Sequence, residues 1–260
     1  MKKAIKLVIR AISRSAKVLY WAMLNLGYRL GLYSPYRIPI VINNFNRLTY
    51  LCELIESLER CGLTNIVILD NQSTYQPLLE YYATCSYPVI RLDQNYGHLA
   101  LWKSGLYHRY KWNYFVYTDP DVVPINDCPK DFIVYFKNLI DSNYRIDKMG
   151  FGLRIDDLPD AFSLKEKVIA YESRYWTNKT ARGVYDAPID TTLALYKPLS
   201  GLRQGEVYTL HAWRSDFPYM AKHLPWYVDS SRLSEEEQYY LRTCNASSTI
   251  GKQGSNDEVY

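Results

Sequence analysis

The sequence predicts an α/β protein built on a mostly parallel β-sheet flanked by helices, with an amphipathic helix at its N-terminus. Three observations carry that expectation. From Arg37 to Thr118, short apolar runs alternate with segments whose apolar residues recur at helical spacing. Repeated strand–helix units of this length place strands side by side in parallel, with helices on both faces. Each apolar run ends in a polar cluster, and three of the first four clusters contain carboxylates. The chain has 260 residues, 48% of them hydrophobic and 22% charged, which is ample for a core and too apolar for disorder over most of its length.

Residues 1–36 carry a two-faced pattern. Lys3, Lys6, Arg10, Ser13, Arg14 and Lys17 recur at helical spacing, and Ile5, Val8, Ile12, Leu19, Met23 and Leu26 recur on another face. The uncharged run from Val18 to Tyr28 is eleven residues, short of the roughly 20 needed to span a bilayer. The segment therefore predicts a basic amphipathic helix lying in the interface of an anionic membrane. The competing reading is a helix packed on the protein's own body.

The elements then follow in order. Ile38-Pro-Ile-Val-Ile-Asn43 reads as a buried strand, Leu48 to Arg60 as a helix stopped at Gly62, and Asn65-Ile-Val-Ile-Leu-Asp70 as the second strand. Gln76 to Thr84 is a short helix, Tyr87-Pro-Val-Ile-Arg-Leu92 the third strand, Leu99 to Arg109 a helix, and Asn113-Tyr-Phe-Val-Tyr-Thr118 the fourth strand. Beyond it the pattern loosens. Pro129 to Ser142 is helical, Lys148 to Ile155 strand-like, Ser163 to Trp176 helical, and residues 181–197 a strand pair around Ala187-Pro188. Residues 200–228 read as loops carrying Trp213 and Trp226, residues 231–260 as a polar tail that is poorly ordered from 245 onward.

Composition sets further bounds. The formal net charge of +4 is too mild for a nucleic-acid binder, so no nucleic acid is expected as a partner. The 26 tyrosines are many, and a ring with a hydroxyl suits sugar and base surfaces. Five cysteines, at 52, 61, 85, 128 and 244, include no C-x-x-C pair, which predicts free thiols in a reducing compartment.

Ligands of open parallel sheets bind at the carboxyl ends of strands. Those ends here are Asn43-Asn44-Phe45-Asn46-Arg47, Asp70-Asn71-Gln72-Ser73, Asp93-Gln94-Asn95-Tyr96-Gly97-His98 and Thr118-Asp119-Pro120-Asp121. The first holds neither G-x-G-x-x-G nor G-x-x-x-x-G-K-[ST], so bare backbone cannot cradle a phosphate there. Asp119 and Asp121 offer another device. Two carboxylates one residue apart at a strand tip repel each other, and a hard divalent cation, Mg²⁺ or Mn²⁺, removes that cost. Such an ion also binds a diphosphate and stabilises the charge on it as it departs.

In the order and spacing of these four strand ends, residues 37–230 resemble GT-A-fold glycosyltransferases, of the family-2 group. The resemblance implies a nucleotide-diphosphate sugar donor and a divalent metal. It implies that Asp70 contacts base or ribose, with Asn43, Asn44, Arg47 and Asn71 lining the nucleotide pocket and Asn95, Gly97 and His98 near the ribose or diphosphate. Asp119 and Asp121 would hold ribose and metal, and a late histidine, His223 or else His211, would join the metal. Residues 37–128 would form the donor half and 129–230 the acceptor half, with Arg154, Asp156 and Trp226 toward the acceptor. Trp102 departs from the family, which often has a small residue there.

The family's Glu-Asp catalytic pair has no clean counterpart. The best substitutes for a base are Asp190, at the entry to an apolar strand, and then Asp186. The function expected is metal-dependent, inverting sugar transfer to a glycan or lipid-linked acceptor at the inner face of the cell membrane. The alternatives are a nucleotidyltransferase and a non-catalytic carbohydrate-binding protein on the same scaffold. Asn71, Asn178 and Asn245 head N-x-[ST] triplets, and a glycan on Asn71 would block the nucleotide pocket, which favours a cytoplasmic bacterial protein.

Overall fold

A computed structural model describes residues 2–189, 192–201 and 210–244, with side chains from residue 15 onward. Helix α1 spans Lys2–Arg29. Then follow β1 (Ile40–Asn44), α2 (Thr49–Arg60), β2 (Ile66–Asp70), α3 (Gln76–Thr84) and β3 (Val89–Arg91). Next come α4 (Ala100–Lys103), α5 (Tyr107–Tyr110), β4 (Phe115–Thr118), β5 (Val122–Pro124), α6 (Phe132–Asp141), β6 (Lys148–Gly150) and β7 (Gly152–Leu153). The described chain closes with α7 (Lys165–Ser173), β8 (Tyr185–Asp186), β9 (Ala194–Tyr196), β10 (Ala212–Arg214), β11 (Met220–His223) and α8 (Glu235–Thr243).

The main sheet has eight strands in the order β3-β2-β1-β4-β9-β6-β10-β8. The three pairings among β1 to β4 are all parallel, with Ile40 opposite Ile66 on one side and Val116 on the other. Strand β9 runs antiparallel between β4 and β6, and β6 and β10 are parallel. A second sheet, β5-β11-β7, lies beside it. Because strand side chains alternate between faces and both faces are covered, β1 feeds two cores. Ile40 and Ile42 pack with Leu51, Leu54 and Leu58 of α2 and with Phe132 and Phe136 of α6. Val41 packs with Leu101, Trp102, Phe115, Tyr117 and Tyr196.

The expected α/β architecture is therefore present, and the strands expected between residues 37 and 118 lie where the sequence put them. Four details differ. The helix expected over Leu99 to Arg109 is broken into α4 and α5 at Gly105, whose φ of +77° no helix tolerates. The strand-like stretch 148–155 splits between the two sheets as β6 and β7. The strands within 181–197 do not pair with each other: β8 pairs with β10, and β9 with β4 and β6. Residues expected as loops supply β10 and β11, and a stretch given no element supplies β5, all strands too short to show a period in sequence.

Helix α1 uses both faces. Trp21, Leu24 and Tyr28 pack on the core, and the Tyr28 hydroxyl donates to Asn113 Oδ1 at 2.9 Å. On the opposite side Leu19, Met23 and Leu26 are 63%, 66% and 55% exposed. The reading of a helix packed on the protein's own body thus holds for the face carrying Trp21, Leu24 and Tyr28, and the opposite face is left uncovered. Among the described residues no helix is long and apolar enough to cross a membrane.

The expected polar tail includes α8, started by a capping box in which Ser234 and Glu237 satisfy each other's backbone N–H. Its Glu236 carboxylate accepts from the backbone N–H groups of Leu48 and Thr49 and from Thr49 Oγ1, placing negative charge on the N-terminus of α2. Residues 245–260 lie outside the described residues. All five cysteines are free thiols.

Candidate active site

The tips of β1, β2 and β4 meet, and their side chains first hold one another. Asn43 Nδ2 donates to Asp119 Oδ1 at 3.2 Å. Asn71 Nδ2 donates to the Gly97 carbonyl at 3.1 Å, and its Oδ1 accepts from Tyr96 N at 2.7 Å. Asn95 Oδ1 accepts from Gly97 N at 2.9 Å, in a turn whose φ of +71° at residue 97 calls for glycine. The His98 carbonyl accepts from the Tyr117 hydroxyl at 2.8 Å. Asp70 is wholly buried, where it meets Arg91 Nε at 3.1 Å, Ser73 N at 3.2 Å and the Tyr82 hydroxyl at 3.3 Å. The same hydroxyl accepts from Asn44 Nδ2 at 2.8 Å. Asn71, 2% exposed, offers no room for a glycan. Trp102 fills the second core and donates to the Gly201 carbonyl at 3.1 Å.

A second group gathers around Asp121. Pairing of β5 with β11 sets Val122 opposite His223, and Leu224 N donates to the Asp121 carbonyl at 2.8 Å. This register brings His223 Nε2 within 3.7 Å of Asp121 Oδ2. Burial pushes the imidazole pKa below its ordinary value, with Asp121 pulling it up and Arg47 pushing it further down. Burial therefore favours the neutral ring, the form in which imidazole is a metal ligand. Trp226 packs against it, ring centroids 4.7 Å apart. Arg47 is 4% exposed and lies with its guanidinium carbon 3.7 Å from the Tyr240 ring centroid and 4.9 Å from that of Tyr50.

Nine buried side-chain polar atoms among the described residues lack a hydrogen-bond partner. Seven belong to this region: Asn43 Oδ1, Asn44 Oδ1, Arg47 Nε and Nη1, Asp121 Oδ1, His223 Nδ1 and Trp226 Nε1. An unsatisfied buried group costs about 1–3 kcal/mol, and proteins seldom leave several together. The concentration marks a surface shaped for a polar ligand.

Asp121 and His223 fit a divalent cation by donor type: Asp121 Oδ1 and His223 Nδ1 lack partners, while Asp121 Oδ2 and His223 Nε2 stand 3.7 Å apart. Asp119 instead accepts from Asn43. Among the described residues no three His, Cys, Asp or Glu side chains gather into a cage. Mg²⁺ and Mn²⁺ suit such a partial set, since Mg²⁺ is commonly held by one or two carboxylates with phosphate and water completing its shell.

The other expected residues are dispersed. Arg154 Nε meets Asp156 at 2.9 Å and Asp157 at 3.2 Å, and Arg154 N donates to Ala221 O of β11 at 2.8 Å, so this cluster flanks the strand that carries His223. Trp226 is 5% exposed and forms a wall behind His223, not an open platform. Asp186 and His211 line a cavity with Lys17 and Asp147 at the far edge of the sheet, so neither joins Asp121. Asp190 lies outside the described residues. Sequence reasoning missed the stacking of Arg47 on Tyr240; the only signal near it was the Ser234–Glu237 capping box that announces α8.

No family model matches the sequence. Among curated proteins the chain is similar to the uncharacterised glycosyltransferase YwdF of Bacillus subtilis (strain 168), with 36% identity over 73 residues. The resemblance is to a glycosyltransferase. The match spans only 27% of this chain and 27% of YwdF. Among solved structures, the TarS 1–349 fragment of S. aureus has a TM-score of 0.42 and 14% identity, over 71% of this chain and 59% of that one. GalNAc-T7, crystallised with UDP, GalNAc and Mn²⁺, has a TM-score of 0.45 and 15% identity, over 71% of this chain and 43% of that one.

Proposed function

We propose that this chain transfers a sugar from a nucleotide-diphosphate donor to a hydroxyl of a glycan or lipid-linked acceptor. One observation carries the reading: the unpartnered buried atoms of Arg47, Asp121 and His223 at the strand tips. A nucleotide diphosphate with its divalent cation would supply what these groups lack: phosphate oxygens for the Arg47 donors, and the cation for Asp121 and His223.

Asp121 and His223 would hold Mn²⁺ or Mg²⁺, which when bound offsets the negative charge of the departing diphosphate. Arg47, held flat by Tyr240 and Tyr50, adds a fixed positive charge beside the same leaving group. Asn43, Asn71 and Asn95 hold the Gly97 turn against the strand tips, and Asp70 fixes that edge through Arg91. Asp190 would take the proton of the acceptor hydroxyl as it attacks the anomeric carbon from the face opposite the diphosphate, which gives inversion. Residues 37–128 would serve the donor and 129–230 the acceptor, with Arg154 and Asp156 at the acceptor side. The exposed apolar face of α1 fits attachment to the inner face of the cell membrane, with a basic face toward anionic headgroups.

The test is nucleoside-diphosphate release from a panel of nucleotide sugars, with Mn²⁺ or with chelator, by wild type and Asp121→Ala. Expected is a loss of at least about a hundredfold on chelation and in the variant. Undiminished turnover in both would overturn the metal role, and pyrophosphate as the product would overturn glycosyl transfer. The anomeric configuration of the product, read by NMR, decides inversion.

A further inference from the structure

A cavity of about 710 Å³ opens where α1 crosses the sheet, lined by Lys17 and Trp21 of α1 and by residues flanking β6, β9 and β10. Strand register places it. Lys148, which begins β6, pairs with Tyr196, and Tyr196 pairs with Phe115, the first residue of β4. Asp121 lies beyond Thr118, the last residue of that strand, so the cavity and the candidate active site lie toward opposite ends of the strands.

The charges in its wall are Lys17, Arg145 and Lys197, with His211, against Asp147 and Asp186. Lys197 is the unusual one. It is 5% exposed, yet its ammonium meets only the Asn143 carbonyl oxygen, at 2.6 Å, and the face of Trp21, at 4.3 Å. No described carboxylate lies within ion-pair distance of it; Asp141, held by Lys137 at 2.6 Å, and Asp147 act on it only from farther away. Burial accordingly lowers its pKa to about 8. The carboxylate of Asp147 is taken up elsewhere, by Lys17 at 3.9 Å, Ser200 Oγ at 3.4 Å and His211 N at 3.3 Å. Asp186 is exposed. A desolvated ammonium with unused N–H donors gains most from an anion, and a neutral sugar would leave its charge unmatched.

We infer that this cavity binds a phosphate ester, with Lys197 at its floor and Lys17 and Arg145 at its sides. A lipid headgroup and a soluble phosphate ester both carry that chemistry, and the position of α1 favours the lipid. Leu19, Met23 and Leu26 point away from the body while Lys17 and Trp21 face it. A helix lying in the interface with its apolar face immersed raises the opposite side by about one helix diameter, ~10 Å, to the level of lipid phosphates. The site stands independently of the sugar-transfer reading; only the lipid source rests on the interfacial placement of α1.

The experiment uses the full chain and two probes, glycerol 1-phosphate in solution and vesicles of phosphatidylglycerol mixed with phosphatidylcholine. Wild type is compared with Lys197→Met, with Arg145→Gln at an exposed position, and with Lys130→Gln, an equal charge change on another surface. Glycerol phosphate is expected to bind wild type and Lys130→Gln alike, and both cavity variants about tenfold more weakly. Vesicle binding that falls in both cavity variants but not in Lys130→Gln assigns a lipid headgroup. Vesicle binding that is equal throughout assigns a soluble phosphate ester to the same cavity. No binding of glycerol phosphate by wild type, or equal binding by Arg145→Gln, overturns the site. Nucleotide-sugar turnover by Arg145→Gln is expected unchanged, which separates failure of this site from failure of the donor reading.

Discussion

At the scale of single residues, a group's surroundings decide what it does, and Lys197 offers a direct measurement. Its pKa of about 8 lies below the ordinary lysine value because burial penalises the ammonium; Asp141 of α6 and Asp147 before β6 pull it up, and Lys17 of α1 pushes it down. The unfolded chain therefore binds more protons than the folded one between about pH 8 and pH 10.5, and stability rises with pH across that window. Below it the full penalty applies, up to about 3 kcal/mol. The difference in unfolding free energy between wild type and Lys197→Met should be flat from pH 6 to 7 and move in favour of wild type by pH 10; tyrosine and cysteine titrations, common to both proteins, cancel. A difference independent of pH would show an ammonium already matched in the fold. Legibility follows the same logic. Asp121 was readable because a strand tip with two acids needs an explanation local to the sequence. His223 stood level with His211 until β11 placed one beside Asp121 and the other at the far edge. Arg47 was readable as a strand-end cation, but not its stack on Tyr240, since nothing local joins residues so far apart.

At the scale of elements, the parallel strands β1 to β4 were legible and most of the short strands after them were not. β1 and β2 are five-residue apolar runs, long enough to declare themselves, whereas β5, β7, β8 and β10 have two or three residues and exist only through their partners. Helix α8 is the element whose neighbours matter most to the site. Its Glu236 caps α2, its Glu237 accepts from the Tyr50 hydroxyl at 2.7 Å, and its Tyr240 covers Arg47. Glu236→Gln keeps the shape and removes the charge on the α2 N-terminus. It should cost about 1 kcal/mol in chemical denaturation, with Glu236→Ala costing more because two backbone N–H groups lose their acceptor. If α8 holds the donor side together, both variants should also raise KM for the nucleotide sugar with kcat little changed. A loss of stability with unaltered KM would make α8 a strap on the fold and nothing more.

At the scale of the whole molecule, α1 packs one face on the body and leaves the other uncovered. The same helix that sends Trp21, Leu24 and Tyr28 into the core presents Leu19, Met23 and Leu26 outward, and Leu30 and Leu32 beyond them are 66% and 72% exposed. A monomer seldom leaves such a row uncovered. In the sequence, Lys3, Lys6, Arg10 and Arg14 recur at helical spacing out of phase with this row, and an anionic bilayer is predicted to take up both, by apolar burial and by charge. Burying one large apolar side chain is worth about 1.5–3 kcal/mol when complete. Leu19→Gln, Met23→Gln and Leu26→Gln together should therefore weaken binding to anionic vesicles by at least about a hundredfold, while the melting temperature stays within a few degrees because none of the three packs on the core. Added salt should weaken the wild type further through the basic face alone, leaving an apolar remainder that the triple variant lacks. Unchanged vesicle binding with a lowered melting temperature would reverse the assignment, making this row of side chains part of the protein's own packing.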